Sequence, residues 1–201
     1  SLGRRRLETI GDIRAAGEAK MRQYFGDWGA HLYALSIAHD PRRVDPDGER
    51  KSISAETTFF EDIAEIGALE DILWPLCEKV AARARASELA GRTVTLKLRG
   101  SDFRILTRRR QLPEPTILAA RLFETARTLL AGDADGRIKF RLIGVGLSDF
   151  SAAADADKGD LLDSETPKRA AAEAAIAQAR GKFGKAAVVT GRALKGRRGK
   201  D

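Results

Sequence analysis

The amino-acid sequence predicts an α+β fold: a four-stranded sheet built in the order β-α-β-β-α-β, with two helices on one face, preceded by a small helical subdomain. Three observations support this prediction. Two long segments carry apolar residues at helical spacing, four segments are rich in strand-forming residues, and two of those strands are joined by a short turn. This split β-α-β order gives a largely antiparallel sheet and leaves its second face for solvent or a ligand.

The helical subdomain is predicted at residues 3–39. Residues 9–13 open one helix, Gly26 closes the next, and residues 28–38 form a third with apolar residues at helical spacing. Residues 40–50 contain two prolines, a glycine and seven charged residues. This composition is typical of an extended linker and predicts a domain boundary.

Residues 51–150 are predicted to form the sheet domain. A first strand begins at Lys51, and the helix after it has apolar residues every three or four positions from Leu69 to Ala84. Pro75 lies inside that helix. Because proline removes a backbone hydrogen bond at a cost of about 3 kcal/mol, we expect a kink or a break into two segments.

A hairpin and a second helix follow. Residues 92–99 and 103–112 read as two strands with Gly100 between them. The second helix is expected to have Pro115 in its first turn and to end at Gly132.

The last strand and a C-terminal extension complete the predicted organisation. Residues 139–150 form the strand, in which Gly144 and Gly146 indicate a bulge or a close approach of another backbone. Residues 151–201 are expected to contain an acidic linker, an Ala-rich helix at 167–180 and a basic tail.

Positive charge is concentrated in one part of the chain. The formal net charge is +7, and residues 92–110 hold seven basic residues against one acidic, whereas residues 60–90 hold seven acidic against three basic. Because side chains alternate along a strand, Thr95, Lys97 and Arg99 are expected on the face away from the helices. A basic face of this kind favours a polyanionic partner and predicts contacts to phosphates.

Hydroxyl groups and Lys51 on the first strand add donors for phosphate oxygens. The candidate DNA-binding residues are Lys51, Ser52, Ser54, Thr57, Thr95, Lys97, Arg99, Arg104, Arg108, Arg109, Arg110 and Arg141. Sequence-specific reading is not expected, because the chain has no Asn, both helices cover the sheet, and the open face lacks interleaved aromatic residues. The prediction is sequence-independent binding to the backbone of duplex or primer-template DNA.

No catalytic residue and no metal site are predicted within this chain. The carboxylate pairs lie in predicted loops, and the two histidines have no cluster of ligands near them; these residues are Asp133, Asp135, Asp155, Asp157, His31 and His39. The single cysteine, Cys77, is expected to be a small buried side chain in a reducing compartment. No apolar run is long enough for a membrane span or a signal peptide, so we expect a cytoplasmic protein without membrane contact.

Three segments, residues 51–59, 93–104 and 141–146, resemble motifs of bacterial Y-family DNA polymerases of the DinB type, in the order and spacing of that family. The first resembles the strand that opens the little-finger domain, and residues 7–12 and 25–29 resemble the second half of the thumb. The chain departs from the family pattern at Gly100 and Ser101, where an aromatic and a small residue are usual.

The resemblance implies a lesion-bypass DNA polymerase whose little finger, residues 51–150, grips primer-template DNA beside a partial thumb at residues 3–39. It implies that the palm, with its Mg²⁺ ions, lies upstream, so that this chain alone is an inactive monomer without a cofactor. Asp160, Leu161 and Leu162 resemble a degraded sliding-clamp-binding peptide. The alternative is a leucine pair that packs back on the domain.

Two other functions stay open at this point. One is an RNA-binding module on the same split fold, and the other is an adaptor that docks its sheet on an acidic protein. If about five of the basic residues contact phosphates, the logarithm of DNA affinity should fall against the logarithm of salt concentration with a slope of roughly −4 to −5. Replacing Arg108, Arg109 and Arg110 by alanine should then flatten the slope by up to about 3.

Overall fold

The computed structural model describes residues 2–43, 48–157, 165–184 and 186–191. The chain divides into two compact units between residues 49 and 50. The first unit is helical and the second contains the sheet.

The first unit has a 3₁₀ turn at Gly3–Arg5 and helices α1 (Ile10–Ala16), α2 (Glu18–Phe25) and α3 (Asp27–Ser36), which confirms the predicted helices. A capping box starts α1: the Thr9 hydroxyl accepts a hydrogen bond from Asp12 N at 3.1 Å, and the Asp12 carboxylate accepts one from Thr9 N at 2.8 Å. Hydrogen bonds from the backbone N–H groups of Thr9 and Glu8 lower the pKa of Asp12.

The second unit alternates strands and helices. Its elements are β1 (Ser52–Ile63), α4 (Ile66–Ala86), β2 (Leu89–Gly100), β3 (Ile105–Thr116), α5 (Ala119–Asp133), β4 (Phe140–Ala152), a 3₁₀ turn (Ala153–Asp155) and α6 (Glu165–Phe183). The strands lie in the order β1-β4-β2-β3, and every neighbouring pair is antiparallel. The predicted β-α-β-β-α-β order is confirmed, and β1 and β3 form the edges.

Helices α4 and α5 cover one face of the sheet. Apart from Phe140 at the start of β4, the strand residues in the hydrophobic core come from alternate positions, so they point to one side; they are Ile53, Ala55, Val94, Leu96, Leu98, Ile143, Val145 and Leu147. They meet apolar residues of α4 and α5, among them Leu69, Leu73, Cys77, Val80, Leu122, Phe123 and Leu130. Cys77 is buried as predicted, and burial raises the pKa of its thiol.

The structure corrects two details about the prolines: α4 has no break at Pro75, and Pro115 lies outside α5. Helix α4 runs unbroken through Pro75, because a continuous buried apolar stripe on both sides of it outweighs the one lost backbone hydrogen bond. Pro115 is in β3, not in α5, which starts at Ala119. An edge strand accepts proline because its outward N–H group needs no partner in the sheet.

Helix α6 contacts α4 and α5 through polar side chains. The Glu173 carboxylate accepts hydrogen bonds from Ala119 N at 2.9 Å and Ala120 N at 3.1 Å, and it forms an ion pair with Arg85 at 3.5 Å. Leu118, the residue before α5, supplies no side-chain cap. Glu173 therefore caps α5 from another helix, where a carboxylate also interacts favourably with the helix dipole.

Replacing Glu173 by alanine is expected to lower the free energy of unfolding by about 1 kcal/mol, because two N–H groups of α5 lose their acceptor. Hydrogen exchange should show faster exchange at Ala119 and Ala120 and unchanged exchange in β2. Gln178→Ala, an exposed position on the same helix, is the matched control. Unchanged exchange at both α5 amides in the Glu173 variant would contradict the capping role.

Candidate nucleic-acid interface

The sheet face away from α4 and α5, which we call the open face, is built from alternate residues of all its strands. Cross-strand partners point to the same side of a sheet, so the register sorts these residues into four rows. The rows are Ser52-Ser148-Thr93-Gln111, Ser54-Gly146-Thr95-Arg109, Glu56-Gly144-Lys97-Thr107 and Thr58-Leu142-Arg99-Ile105.

Strand β4 contributes two glycines to the middle of the open face. Gly144 and Gly146 on β4 lie between the hydroxyl-bearing strand β1 and the cationic strand β2. A Cβ atom on Gly144 would lie 2.7 Å from the Glu56 Cβ, which confirms the predicted close approach at that position, whereas one on Gly146 would make only ordinary contacts. The two glycines keep β4 flat in these two rows, and the side chains of Glu56 and Lys97 meet across the buried Gly144.

Six of the twelve candidate residues lie in the rows of the open face: Ser52, Ser54, Thr95, Lys97, Arg99 and Arg109. Lys51 is exposed immediately before β1. Arg104 lies in the turn between β2 and β3, where 91% of its side chain is exposed. These positions are compatible with phosphate contacts.

Three other candidate residues lie on the helix-covered side of the sheet, so they do not share the open face, and their DNA contact stays a prediction. Thr57 is paired with Ile143, Arg108 with Leu96, and Arg110 with Val94. The cause is the two-residue period of a strand, which prevents neighbouring arginines from sharing a face. Arg108 uses its Nη2 to contact Asp133 Oδ1, in the last residue of α5, at 2.6 Å.

Arg141 reaches the open face through a β-bulge. Leu142 lies opposite Arg99 and Phe140 lies opposite Gly100, so Arg141 is the extra residue on β4. Phe140 enters the core, while the Arg141 guanidinium carbon lies 4.6 Å from the centroid of the Phe103 ring. The guanidinium carbon of Arg99 lies 4.9 Å from the same centroid.

Several cations at this surface have an acidic neighbour. Lys97 Nζ donates to Glu56 Oε2 at 2.8 Å. Ion pairs also join Arg141 to Asp62 at 3.5 Å and Arg104 to Asp102 at 3.4 Å. The Lys97–Glu56 and Arg104–Asp102 pairs are the more exposed of these, and such pairs contribute little stability, so a phosphate can replace the carboxylate at small cost.

Arg109 differs from these cations. Its side chain makes no hydrogen bond or ion pair with any residue that the structure describes. It is exposed on the edge strand β3, in the same row as Thr95 and Gly146.

Three of the candidate carboxylates of the predicted loops, Asp133, Asp135 and Asp157, have structural partners. Asp133 binds Arg108, and Asp157 is buried against Thr116, Ile117 and Arg121. Asp135 accepts hydrogen bonds from Ile138 N and Arg137 N, which lower its pKa. Over the described ranges, no three His, Cys, Asp or Glu side chains form a group that could hold a metal ion.

Three further expectations concern the clamp-like residues, the histidines and the membrane. Asp160, Leu161 and Leu162, the clamp-like residues, lie outside the described residues. The His31 ring packs beside Trp28 with a centroid distance of 5.4 Å. None of the described helices has an apolar stretch long enough to cross a membrane.

The amino-acid sequence is similar to those of bacterial polymerases. Over 191 residues, or 95% of this chain, it is 51% identical to a Caulobacter vibrioides protein named DNA polymerase IV, of which it covers 47%. It is 47% identical over 185 residues, 92% of the chain, to DNA polymerase IV of Brucella melitensis, covering 41% of that protein. It is 48% identical over 191 residues, again 95% of the chain, to DNA polymerase IV 1 of Mesorhizobium japonicum, covering 43%. The chain therefore spans less than half the length of these curated relatives.

A family-level match covers the sheet itself. Residues 50–161 match the impB/mucB/samB family C-terminal domain. This range contains all strands of the open face and both helices behind it. The chain therefore belongs to the impB/mucB/samB C-terminal domain family, and its resemblance to the DinB-type Y-family is confirmed.

Proposed function

We propose that this chain is the DNA-gripping region of a translesion DNA polymerase. Its open face follows the backbone of primer-template DNA and does not read the base sequence. The observation that carries the proposal is the placement of Lys97, Arg99, Arg109 and Arg141 on one face of the sheet. A group of cations on one sheet face suits a phosphate backbone, which carries no base information.

Sequence-independent binding fits the rest of the domain. Helices α4 and α5 pack their apolar stripes against the sheet, so neither is available as a recognition helix for the major groove. The side chains of the open face are mainly hydroxyls and cations, which bind phosphate and sugar groups. A polymerase that copies damaged template benefits from DNA contacts that do not depend on the identity of the bases.

The same proposal assigns roles to the parts of the chain. Residues 3–39 correspond to a partial thumb, 40–50 to a linker and 51–150 to the little finger. Nucleotidyl transfer and its Mg²⁺ ions belong to the part of such polymerases that this chain does not span, so the chain alone is expected to be inactive. A monomer is sufficient for the binding, and contact of the C-terminal region with a sliding clamp stays a prediction.

The test is a salt titration of binding to a labelled primer-template duplex. With about five phosphate contacts, the slope of log affinity against log salt is expected to be about −4.5. Two competitors separate the other functions: preferential displacement by single-stranded RNA indicates an RNA-binding module, and binding to an acidic protein that DNA does not displace indicates an adaptor. A slope near zero on the duplex would contradict the proposal.

A further inference from the structure

Phe103 has an unusual position for a large apolar residue. It lies in the turn between β2 and β3, 55% of it is exposed, and its φ is +66°. Two guanidinium groups, from Arg99 and Arg141, lie over its ring at 4.9 and 4.6 Å from the centroid. The Phe103 ring thus contacts both Arg99, which is on the hairpin, and Arg141, which is at the bulge on β4.

The backbone at Phe103 is in the left-handed region, which side-chain-bearing residues adopt only at a cost in free energy. The turn holds this conformation with hydrogen bonds from Phe103 N to Gly100 O, from Gly100 N to Arg104 O and from Arg104 N to Asp102 Oδ1, each 3.0 Å long. Glycine would adopt the same φ without strain and without exposing an apolar ring. An exposed phenylalanine at such a position therefore indicates a role for its ring.

The surroundings of the two arginines show which of their donors are available. Arg99 Nε donates to the Phe103 carbonyl at 3.3 Å. Arg141 Nε is buried, 3.5 Å from Asp62 Oδ1. Both Nε groups are thus turned towards the protein, and neither arginine has an Nη hydrogen bond to a described residue. The Nη groups are left as donors for a ligand.

We infer that Phe103 is a positioning residue for DNA binding, which holds Arg99 and Arg141 together as a preformed binding site for backbone phosphate. The inference rests on the proposed function. A guanidinium over an aromatic face is attracted by the ring quadrupole and keeps its N–H edge for hydrogen bonds. The Phe103 ring also offsets the repulsion between the guanidinium groups of Arg99 and Arg141. Because their side-chain rotamers are fixed before DNA binds, binding does not pay the entropy of ordering them.

The experiment compares three substitutions at Phe103 in the whole chain. Phe103→Gly removes the ring and relieves the backbone strain, Phe103→Leu keeps apolar volume without a quadrupole, and Phe103→Trp keeps an aromatic face. The dissociation constant for primer-template DNA is expected to rise about tenfold for the Gly and Leu variants and to stay within about twofold for Trp. Thermal unfolding of the Gly variant should be unchanged or at higher temperature, so its loss of binding cannot come from unfolding.

A mutant cycle gives a readout that a merely structural role would not change. In a chain that already carries Arg99→Ala and Arg141→Ala, Phe103→Leu is expected to have no further effect on the dissociation constant. A Leu variant that binds like the wild type, or an equal loss with and without the arginines, would overturn the inference. If the unmodified chain shows no salt-dependent DNA binding, the proposed function itself fails, which is a distinguishable result.

Discussion

Replacing Lys97, Arg99 and Arg109 together by alanine is expected to weaken binding to primer-template DNA about 100-fold at 0.1 M salt. Each substitution removes a charge-assisted contact to phosphate that contributes about 1 kcal/mol after the cost of desolvation. The salt slope should flatten by close to 3, because each lost phosphate contact releases about one counterion fewer. All three side chains lie on the open face, in three successive rows.

The matched control lies on the same edge strand. Arg108 and Arg110 flank Arg109, but they face the helix side, and Arg108 is already bound to Asp133. The double variant Arg108→Ala, Arg110→Ala is expected to bind within about threefold of the wild type, with a slope change below about 1. Fluorescence anisotropy at several salt concentrations measures both quantities. An equal loss in both variants would show that net charge, and not the open face, determines binding.

This control also corrects an expectation made from the sequence. A run of three arginines suggested that their joint replacement would flatten the slope by up to about 3. With only Arg109 on the open face, the expected change for the same triple variant is about 1. The residue composition showed where along the chain positive charge is concentrated. The alternation of side chains along the strand determines which of these arginines can contact the same ligand.

The sequence was most informative where local rules decide the structure. The alternation from Thr93 to Arg99 predicted both faces of β2, and residues 9–13 predicted the start of α1. In these segments, the hydrophobic periodicity and the hydrogen bonds between residues close in sequence predict the same secondary structure.

The bulge at Arg141 and the ring of Phe103 could not be predicted in this way. The bulge exists only through the pairing of β4 with Gly100 on β2, about forty residues earlier in the chain. Phe103 was visible as part of a motif, but its contact with Arg141 depends on that bulge. Long-range pairing therefore determined the part of the candidate site that the sequence missed.

The contribution of Asp157 to stability could not be predicted from the sequence either. From its sequence neighbours it read as one of several carboxylates in an acidic loop. In the structure only 3% of its side chain is exposed, and its partners come from the end of β3 and from α5. The Thr116 hydroxyl donates to Asp157 Oδ1 at 2.6 Å, Ile117 N donates to Oδ2 at 2.8 Å, and Arg121 Nη1 lies 3.3 Å from Oδ1.

Replacing Asp157 by alanine is expected to lower the free energy of unfolding by about 3 kcal/mol, because it leaves a partly buried guanidinium, a hydroxyl and a backbone N–H group without their acceptor. Asp157→Asn keeps the shape and one acceptor oxygen, so its expected loss is about 1 to 2 kcal/mol. Urea unfolding at constant m-value measures both losses. Asp135→Ala, which removes an exposed carboxylate that binds only local backbone, is the control and should cost less than about 1 kcal/mol. Equal losses for Asp157→Ala and Asp135→Ala would show that the buried carboxylate does not anchor the C-terminal extension to the sheet domain.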